Sequence, residues 1–368
     1  KVENIKLDDR STASILEYAK LCQAAGKAEE AIAWLRLNRT PVMAMPFATL
    51  RESIIEHNQS PQRDDNGAKI DEMLASLIAA KGDYPQAYKI ISESAAKSNI
   101  NTPHRACLLA GDLAEKLGDY AAAAAYFEGA SWHSPEVPTG ADTTTKFKQK
   151  ALEMAEKAGN YDRKALVKLY CDLAQGQTGQ SIERAYKLYK KAVDITPDSD
   201  PDKARLVSLM SNYAGYLNPK KEKQTPPNDD EKAALVKTAA ANLRKAAELA
   251  EKNAQPDAYW FWMGVAASAA QAGQIEQAVT DAKHGIGLYG QKSNPLSFGR
   301  GELMTASGLA YILTKAGAAE QVESLYREAV NRVKVVKGEN SVAAQWQLAQ
   351  FFEYYVQNNK QDKALTIL

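Results

Sequence analysis

The sequence predicts an all-α fold in which antiparallel helix pairs repeat along the chain. Apolar residues recur every three or four positions in runs such as 14–25, 103–117 and 303–316, and each run is followed by a short turn and another run. That spacing is typical of amphipathic helices, and no series of alternating apolar residues indicates strands. An array of helix pairs also suits the length of 368 residues, since it needs no single large core.

The turns between the helices resemble one another. In each, a glycine permits a tight reversal, a small residue five positions later lets two helices approach closely, and a larger side chain follows in most copies. The glycines are Gly26, Gly82, Gly118, Gly273 and Gly317. The small residues are Ala31, Ala87, Ala123 and Ala278, with Val322 in the fifth copy. A period of about 34 to 44 residues is typical of helical repeat proteins.

At these residues the chain resembles the tetratricopeptide-repeat superfamily. The best copy spans 104–135, and a second match spans 173–197. The residues that carry the resemblance in the best copy are Ala110, Gly111, Gly118–Tyr120, Ala123, Phe127, Ala130 and Pro135. The resemblance implies a right-handed superhelical solenoid of antiparallel helix pairs, with irregular insertions, whose concave face binds a partner.

The chain divides at a polar, proline-rich insertion. We expect an N-terminal array over 1–217, an insertion loop over 218–230 and a C-terminal array over 231–368 that continues the first. The loop is interpreted as lying within one repeat. Between 136 and 160 the resemblance weakens, and an added helix there is expected to disturb the alternation.

The C-terminal third has longer repeats. Its turn residues Gly273, Gly317 and Asn359 lie 44 and 42 positions apart, which resembles the kinesin-light-chain type of tetratricopeptide repeat. That family's groove asparagines are replaced here by Ser307 and Gly308, so its cargo preference is not carried over.

Four adjacent aromatic residues in "DAYWFWMG" cannot all enter one core, because successive helical residues point about 100° apart. Counting back from Gly273 places Trp262 in the core. Tyr259 and Phe261 are expected to pack against the preceding helix pair. Trp260 is left on the face that lines the concave groove in tetratricopeptide arrays.

Large apolar residues recur at that face in the following repeats. The candidate partner-binding residues are Trp260, Met263, Met304, Tyr311, Trp346 and Glu353. Aromatic and thioether side chains offer large, adaptable contact area for a helix or an extended peptide. Alternatively, Trp260 and Trp346 pack against a capping helix or against chain beyond Leu368.

In the best N-terminal repeat the same face carries charged residues, among them the candidates Arg105 and Asp112. Mixed charges are typical of a solvated surface, and they also suit a polar partner. The sequence leaves both interpretations open.

No catalytic, cofactor-binding or metal-ligating pattern is present in the sequence. The four histidines fall in different repeats, and the three cysteines are widely spaced without a CxxC pair. "GRGEL" at Gly299 lacks the remaining residues of a phosphate-binding loop. The net charge of +1 gives no support to generic nucleic-acid binding.

The sequence therefore predicts a non-enzymatic scaffold or adaptor that binds a protein or peptide partner along the concave face of the solenoid, without nucleic acid. Two alternatives remain. The helices could frame a larger enzyme whose catalytic domain lies outside this chain, or the chain could be a peptide-sensing regulator with 218–230 as its hinge. A cytoplasmic location is favoured, and a periplasmic or secreted one fits if a signal peptide has been removed. The oligomeric state is left open.

Overall fold

The computed structural model describes residues 11–39, 65–95, 103–132, 141–176, 182–214, 229–290 and 309–367. Throughout these parts the chain forms α-helices and turns, and no strand occurs among them. The predicted all-α class of antiparallel helix pairs is confirmed. Met304 and the insertion at 218–228 lie outside the described residues.

The chain separates into two compact units, Lys1–Gly176 and Gln177–Leu368. The N-terminal unit contains four helical hairpins, each made of a first helix, a short turn and a second helix, among its described residues. The helices are α1 (Thr12–Ala24), α2 (Ala28–Asn38), α3 (Asp65–Ala80), α4 (Tyr84–Ala95), α5 (Pro103–Lys116), α6 (Tyr120–Trp132), α7 (Ala141–Ala158) and α8 (Arg163–Gly176).

The C-terminal unit begins with one further helix, and its described remainder forms four hairpins. Its helices are α9 (Ile182–Ile195), α10 (Asp202–Ala214), α11 (Asp229–Lys252), α12 (Ala258–Gln271), α13 (Ile275–Leu288), α14 (Leu309–Lys315), α15 (Ala319–Lys337), α16 (Val342–Gln357) and α17 (Gln361–Leu365). Helices α10 and α11 flank the polar insertion and pack against each other within this unit. The division between the units therefore falls at 176/177, well before the insertion.

Most hairpin turns contain one residue in the left-handed backbone region. Gly118 shows the common geometry: its φ is +78°, its N–H donates to Glu115 O at 3.0 Å, and the next N–H donates to Ala114 O at 2.9 Å. These bonds satisfy carbonyls that the end of helix α5 leaves open. The equivalent turn residues are Gly26, Gly82, Gly159, Gly273, Gly317 and Asn359, all with positive φ.

Helix α7 follows the same geometry as the other first helices. The sequence predicted that the segment 136–160 adds a helix that disturbs the alternation, and this prediction is wrong. Helix α7 ends at the left-handed Gly159 and packs against α6 and α8 as an ordinary first helix. Within the expected copy over 173–197, α8 packs with α7, and α9 packs against α10, the first helix of the next hairpin.

Close packing within a hairpin depends on small residues. A Cβ added to Gly111 on α5 would lie 2.9 Å from the ring of Phe127 on α6, and Ala123 is fully buried. Those contacts place the two helices of this hairpin as the repeated turn pattern predicts. The N-terminal unit is also tied together by Arg39, which donates to Asp71 at 2.6 Å and to Glu93 at 2.8 Å.

Candidate partner-binding surface

The turn residue fixes the register of each first helix. In every hairpin that has a left-handed turn residue, the residue four positions before that turn residue is buried. These buried residues are Cys22, Ile78, Ala114, Ala155, Ala269, Leu313 and Tyr355. Since 100° separates successive residues, the positions 13, 9, 6 and 2 before the turn residue share the opposite face. We call these four positions of the first helices the first-helix stripe.

In the C-terminal unit the first-helix stripe carries large aromatic side chains that are open to solvent. Trp260 is 43% exposed, Tyr311 is 69% exposed and Trp346 is 40% exposed. A Cβ added to Gly264, one turn after Trp260, would meet no atom within 4 Å. The other described stripe residues of this unit are Ala267, Gln271, Lys315, Gln350, Glu353 and Gln357.

The same helices are almost free of charge. Helix α12 contains no charged residue, the described part of α14 contains only Lys315, and α16 contains only Glu353. Lys315 Nζ lies 5.6 Å from the centre of the Tyr311 ring, and the Glu353 carboxylate accepts a hydrogen bond from Gln357 at 2.9 Å. The second helices α11, α13 and α15 carry the charges of this region instead.

Met263 does not line this surface, so its assignment as a partner-binding residue is wrong. Its side chain is only 2% exposed and belongs to the core that α12 shares with α13, α14 and α15. Three positions after Trp260, it is rotated by about 60° from that residue, which turns it toward α13. There a Cβ added to Gly285 would lie 3.3 Å from its sulfur.

The remaining rings of "DAYWFWMG" are buried. Trp262 is in the core as predicted, with its indole N–H donating to Glu251 on α11 at 3.0 Å and its ring edge-on to His284 on α13. Tyr259 is buried too, and its ring packs edge-on against Tyr289 at the end of α13. Only Trp260 among the four rings is exposed.

In the N-terminal unit the first-helix stripe is charged. It carries seven basic and three acidic residues among its sixteen positions, including the predicted Arg105 and Asp112. Asp112 is not isolated, because its carboxylate accepts a hydrogen bond from Lys150 on α7 at 2.7 Å. The stripe residues are Ala13, Glu17, Lys20, Ala24, Lys69, Met73, Ser76, Ala80, Arg105, Leu109, Asp112, Lys116, Lys146, Lys150, Glu153 and Lys157.

Sequence reasoning singled out only one repeat of this charged stripe. It missed Lys69, Lys146 and Lys150, which occupy stripe positions on α3 and α7. The signal was present, since Gly82 and Gly159 stand at the same distance after them as Gly118 does after Arg105 and Leu109. The supposed irregularity at 136–160 concealed the register of α7.

The described residues show little that supports reaction chemistry. Burial raises the pKa of the Cys107 thiol to about 12, which disfavours the thiolate that a nucleophile requires. Within the described ranges no group of three or more His, Cys, Asp and Glu side chains could hold a metal ion. The described helices also lack any segment with the length and apolarity of a membrane span.

Comparisons with known proteins return helical-repeat structures. A scan against models of protein families finds no match, and no curated protein matches. A circular tandem repeat protein of novel repeat topology is 13% identical with a TM-score of 0.35, covering 97% of this chain and 88% of that one.

Two further solved structures are similar to this chain. One contains a tetratricopeptide repeat sensor, and the other contains a bound ligand. A signal transduction ATPase with a tetratricopeptide repeat sensor from Pyrococcus horikoshii is 12% identical with a TM-score of 0.33, covering 98% of this chain and 45% of that one. Human IFIT1, as a dimer with m7Gppp-AAAA, is 13% identical with a TM-score of 0.34, covering 97% and 88%.

The fold assignment comes from the hairpins themselves. Their shared turn geometry, their common register of buried residues and the motif at 104–135 agree with one another. The described parts of the chain therefore form an all-α helical-repeat fold, which resembles that of tetratricopeptide-repeat proteins.

Proposed function

We propose that this chain is a non-enzymatic interaction scaffold, and that the first-helix stripe of its C-terminal unit binds a protein or peptide partner. The observation that carries the proposal is the exposure of Trp260, Tyr311 and Trp346 on helices that are almost free of charge. Exposed tryptophan and tyrosine are the side chains that contribute most often to binding hot spots.

The uncharged setting favours a partner segment that is itself apolar or neutral. A charged partner residue would lose hydration against α12 without gaining a counter-charge there. The glutamines of the stripe, Gln271, Gln350 and Gln357, offer donors and acceptors for the backbone amides of an extended segment. Open space beside Gly264 leaves room for a partner side chain next to the Trp260 ring.

A peptide selection tests this proposal. A displayed random library is selected on the full chain, and the affinities of the enriched peptides are then measured for Trp260→Ala, Tyr311→Ala and Trp346→Ala. We expect each substitution to weaken binding by about 2 kcal/mol, about thirtyfold, because a large aromatic contact is removed.

Val335→Ala is the matched control, since Val335 is also exposed but lies on the second helix α15. It should leave the affinity within about twofold, a change of about 0.4 kcal/mol. Enriched peptides that bind all three stripe variants as tightly as the wild type contradict the proposal.

A further inference from the structure

The described stripe of the C-terminal unit contains a single lysine, and this lysine differs from others nearby. Lys334, Lys360 and Lys363 each pair with a carboxylate, at 3.5, 2.7 and 2.9 Å. Lys315 ends α14 and forms no ion pair with any part of the chain that the structure describes. Its ammonium lies 5.6 Å from the centre of the Tyr311 ring instead. The surface therefore presents a cation without a counter-charge.

Lys315 and Tyr311 can contact the same partner segment. They stand one helical turn apart on the stripe, and Tyr311 is 69% exposed. A segment whose apolar side chain covers the Tyr311 ring brings its adjoining residue within reach of the ammonium. An acidic residue at that place gains a counter-charge, whereas a basic residue meets a like charge. Exclusion of water by the apolar contact strengthens this preference.

The acidic residue of the stripe limits where the partner's acid can lie. The hydroxyl oxygens of Thr314 and Tyr354 are 3.5 Å apart, which brings the end of α14 next to α16. Lys315 and Glu353 adjoin these two residues in the sequence, so they occupy neighbouring parts of the two helices. A second acid placed against α16 would meet Glu353, and one against α12 would meet no charge. The charges favour one acidic residue, placed at α14.

We propose that the C-terminal stripe selects a polypeptide segment in which an acidic residue adjoins an apolar residue, and that Lys315 recognises the acid. This inference rests on the proposed function and adds to it the charge of the partner. The apolar side chain covers Tyr311 and the carboxylate pairs with Lys315. The rest of the segment is neutral where it crosses α12, which contains no charged residue.

A single-stranded nucleic acid also combines negative charge with flat rings, but the charges of the stripe favour a polypeptide. A nucleic acid brings one phosphate per nucleotide, and its affinity comes largely from several basic residues. The described stripe of the C-terminal unit offers one lysine and one glutamate, so its net charge is zero. A peptide that needs a single counter-charge suits this surface better, and the experiment includes polyuridine as a competitor.

The test compares two selections from one displayed random peptide library, on the full wild-type chain and on Lys315→Glu. We expect the wild type to enrich peptides with Asp or Glu beside an aromatic or aliphatic residue. Lys315→Glu should enrich Lys or Arg at that place. One enriched acidic peptide is then synthesised with its acid and with lysine in its place, and fluorescence anisotropy gives the affinities at about 50 and 300 mM salt.

The affinities should reverse with the charges. Lys315→Glu should weaken binding of the acidic peptide about tenfold, since one attraction is lost and one repulsion is gained. The lysine-substituted peptide should bind more tightly to Lys315→Glu than to the wild type. Both differences should shrink with added salt. Glu353→Gln should strengthen binding of the acidic peptide by about twofold, because it removes a like charge from the neighbouring helix.

Lys283→Glu is the matched control, since it makes the same change of charge at an exposed position on the second helix α13. It should leave the affinity of the acidic peptide within about twofold. Lys315 also lies in the last turn of α14, where a cation stabilises a helix, so thermal melts accompany the binding data. Lys315→Gln removes the charge without reversing it and should weaken binding about threefold, which keeps the test decisive if Lys315→Glu unfolds.

The possible results separate this inference from the proposed function. Peptides that depend on Trp260 but show no acidic preference, or that bind Lys315→Glu as tightly as the wild type, overturn the inference and leave the proposed function in place. Displacement of the acidic peptide by a lower concentration of polyuridine than of unlabelled peptide also overturns it. A selection without any peptide that Trp260→Ala weakens contradicts the proposed function and this inference together.

Discussion

The first-helix stripes of the two units share one backbone geometry and differ in chemistry. In both, a left-handed turn residue ends the hairpin turn, and the residue four positions before it is buried. Thirteen positions before the turn, however, the N-terminal unit has Lys69, Arg105 and Lys146, whereas the C-terminal unit has Trp260 and Trp346. The repeat therefore fixes where each side chain lies, and the residue type at the exposed positions determines which kind of partner the surface can contact.

The largest expected effect tests whether core and surface are separated as the register requires. Trp262→Ala should destabilise the chain by about 3–5 kcal/mol, because it removes a buried ring and the hydrogen bond to Glu251. Trp260→Ala, two positions away and exposed, should change stability by about 0.5 kcal/mol or less. Urea unfolding followed by circular dichroism measures both, and equal losses would contradict the assigned register.

A smaller effect tests the close approach of helices in the N-terminal unit. Gly111→Leu should destabilise the chain by about 1–3 kcal/mol, since even its Cβ would lie 2.9 Å from the Phe127 ring. Gly264→Ala, on a first helix with open space around the new Cβ, should instead stabilise by about 0.5–1 kcal/mol. Thermal melts compare the two variants, and a Gly111→Leu variant as stable as the wild type would show that α5 and α6 are less closely packed.

The next largest expected effect is a pH dependence of stability in the C-terminal unit. Most of the charges of this unit lie away from the stripe, on the second helices and the turns. Burial opposes ionisation of Glu323, but hydrogen bonds from Lys360 at 2.7 Å and Lys363 at 2.9 Å outweigh it and lower its pKa. Because the folded pKa lies below the unfolded value of about 4.3, this stabilisation is present above that value and is lost as the pH falls through the folded pKa.

Glu323→Gln should therefore destabilise the chain at pH 7 by about 1–2 kcal/mol, and the difference from the wild type should shrink below about pH 4. Melts between pH 7 and pH 3 measure this. Glu353→Gln is the control, since Glu353 is exposed and its carboxylate accepts a hydrogen bond from the neutral side chain of Gln357. A constant difference between wild type and Glu323→Gln across the range would mean that the ion pairs do not stabilise the fold.

The smallest expected effect concerns the charged stripe itself. Asp112→Asn should change stability by less than about 1 kcal/mol, because its pair with Lys150 is exposed to solvent. The change should diminish further at about 0.5 M salt. A loss as large as that of Gly111→Leu would indicate that these charges hold α5 and α7 together, and would weaken the distinction between a structural core and a binding surface.

Much of the fold could be predicted because its information is local. Gly118, Ala123 and Phe127 fix one hairpin through a backbone reversal and a close contact, and both depend on residues near in sequence. The same reasoning placed Trp262 in the core and Trp260 on the surface. It failed at 136–160, where the motif residues are weak although Gly159 ends an ordinary first helix.

The sequence by itself determined the all-α class, the hairpin turns and the exposed aromatic positions. The reason is that the helical period of 3.6 residues and the glycines of the turns depend only on residues within one helix pair. Only the tertiary structure decided which neighbours each helix meets. Met263 is buried because Gly285 lets α13 approach it, and Tyr259 packs against Tyr289. The chain turns after α11 at Ala254, which has a φ of +52° although it is not a glycine. These outcomes depend on contacts between helices, which the spacing along a single helix does not contain.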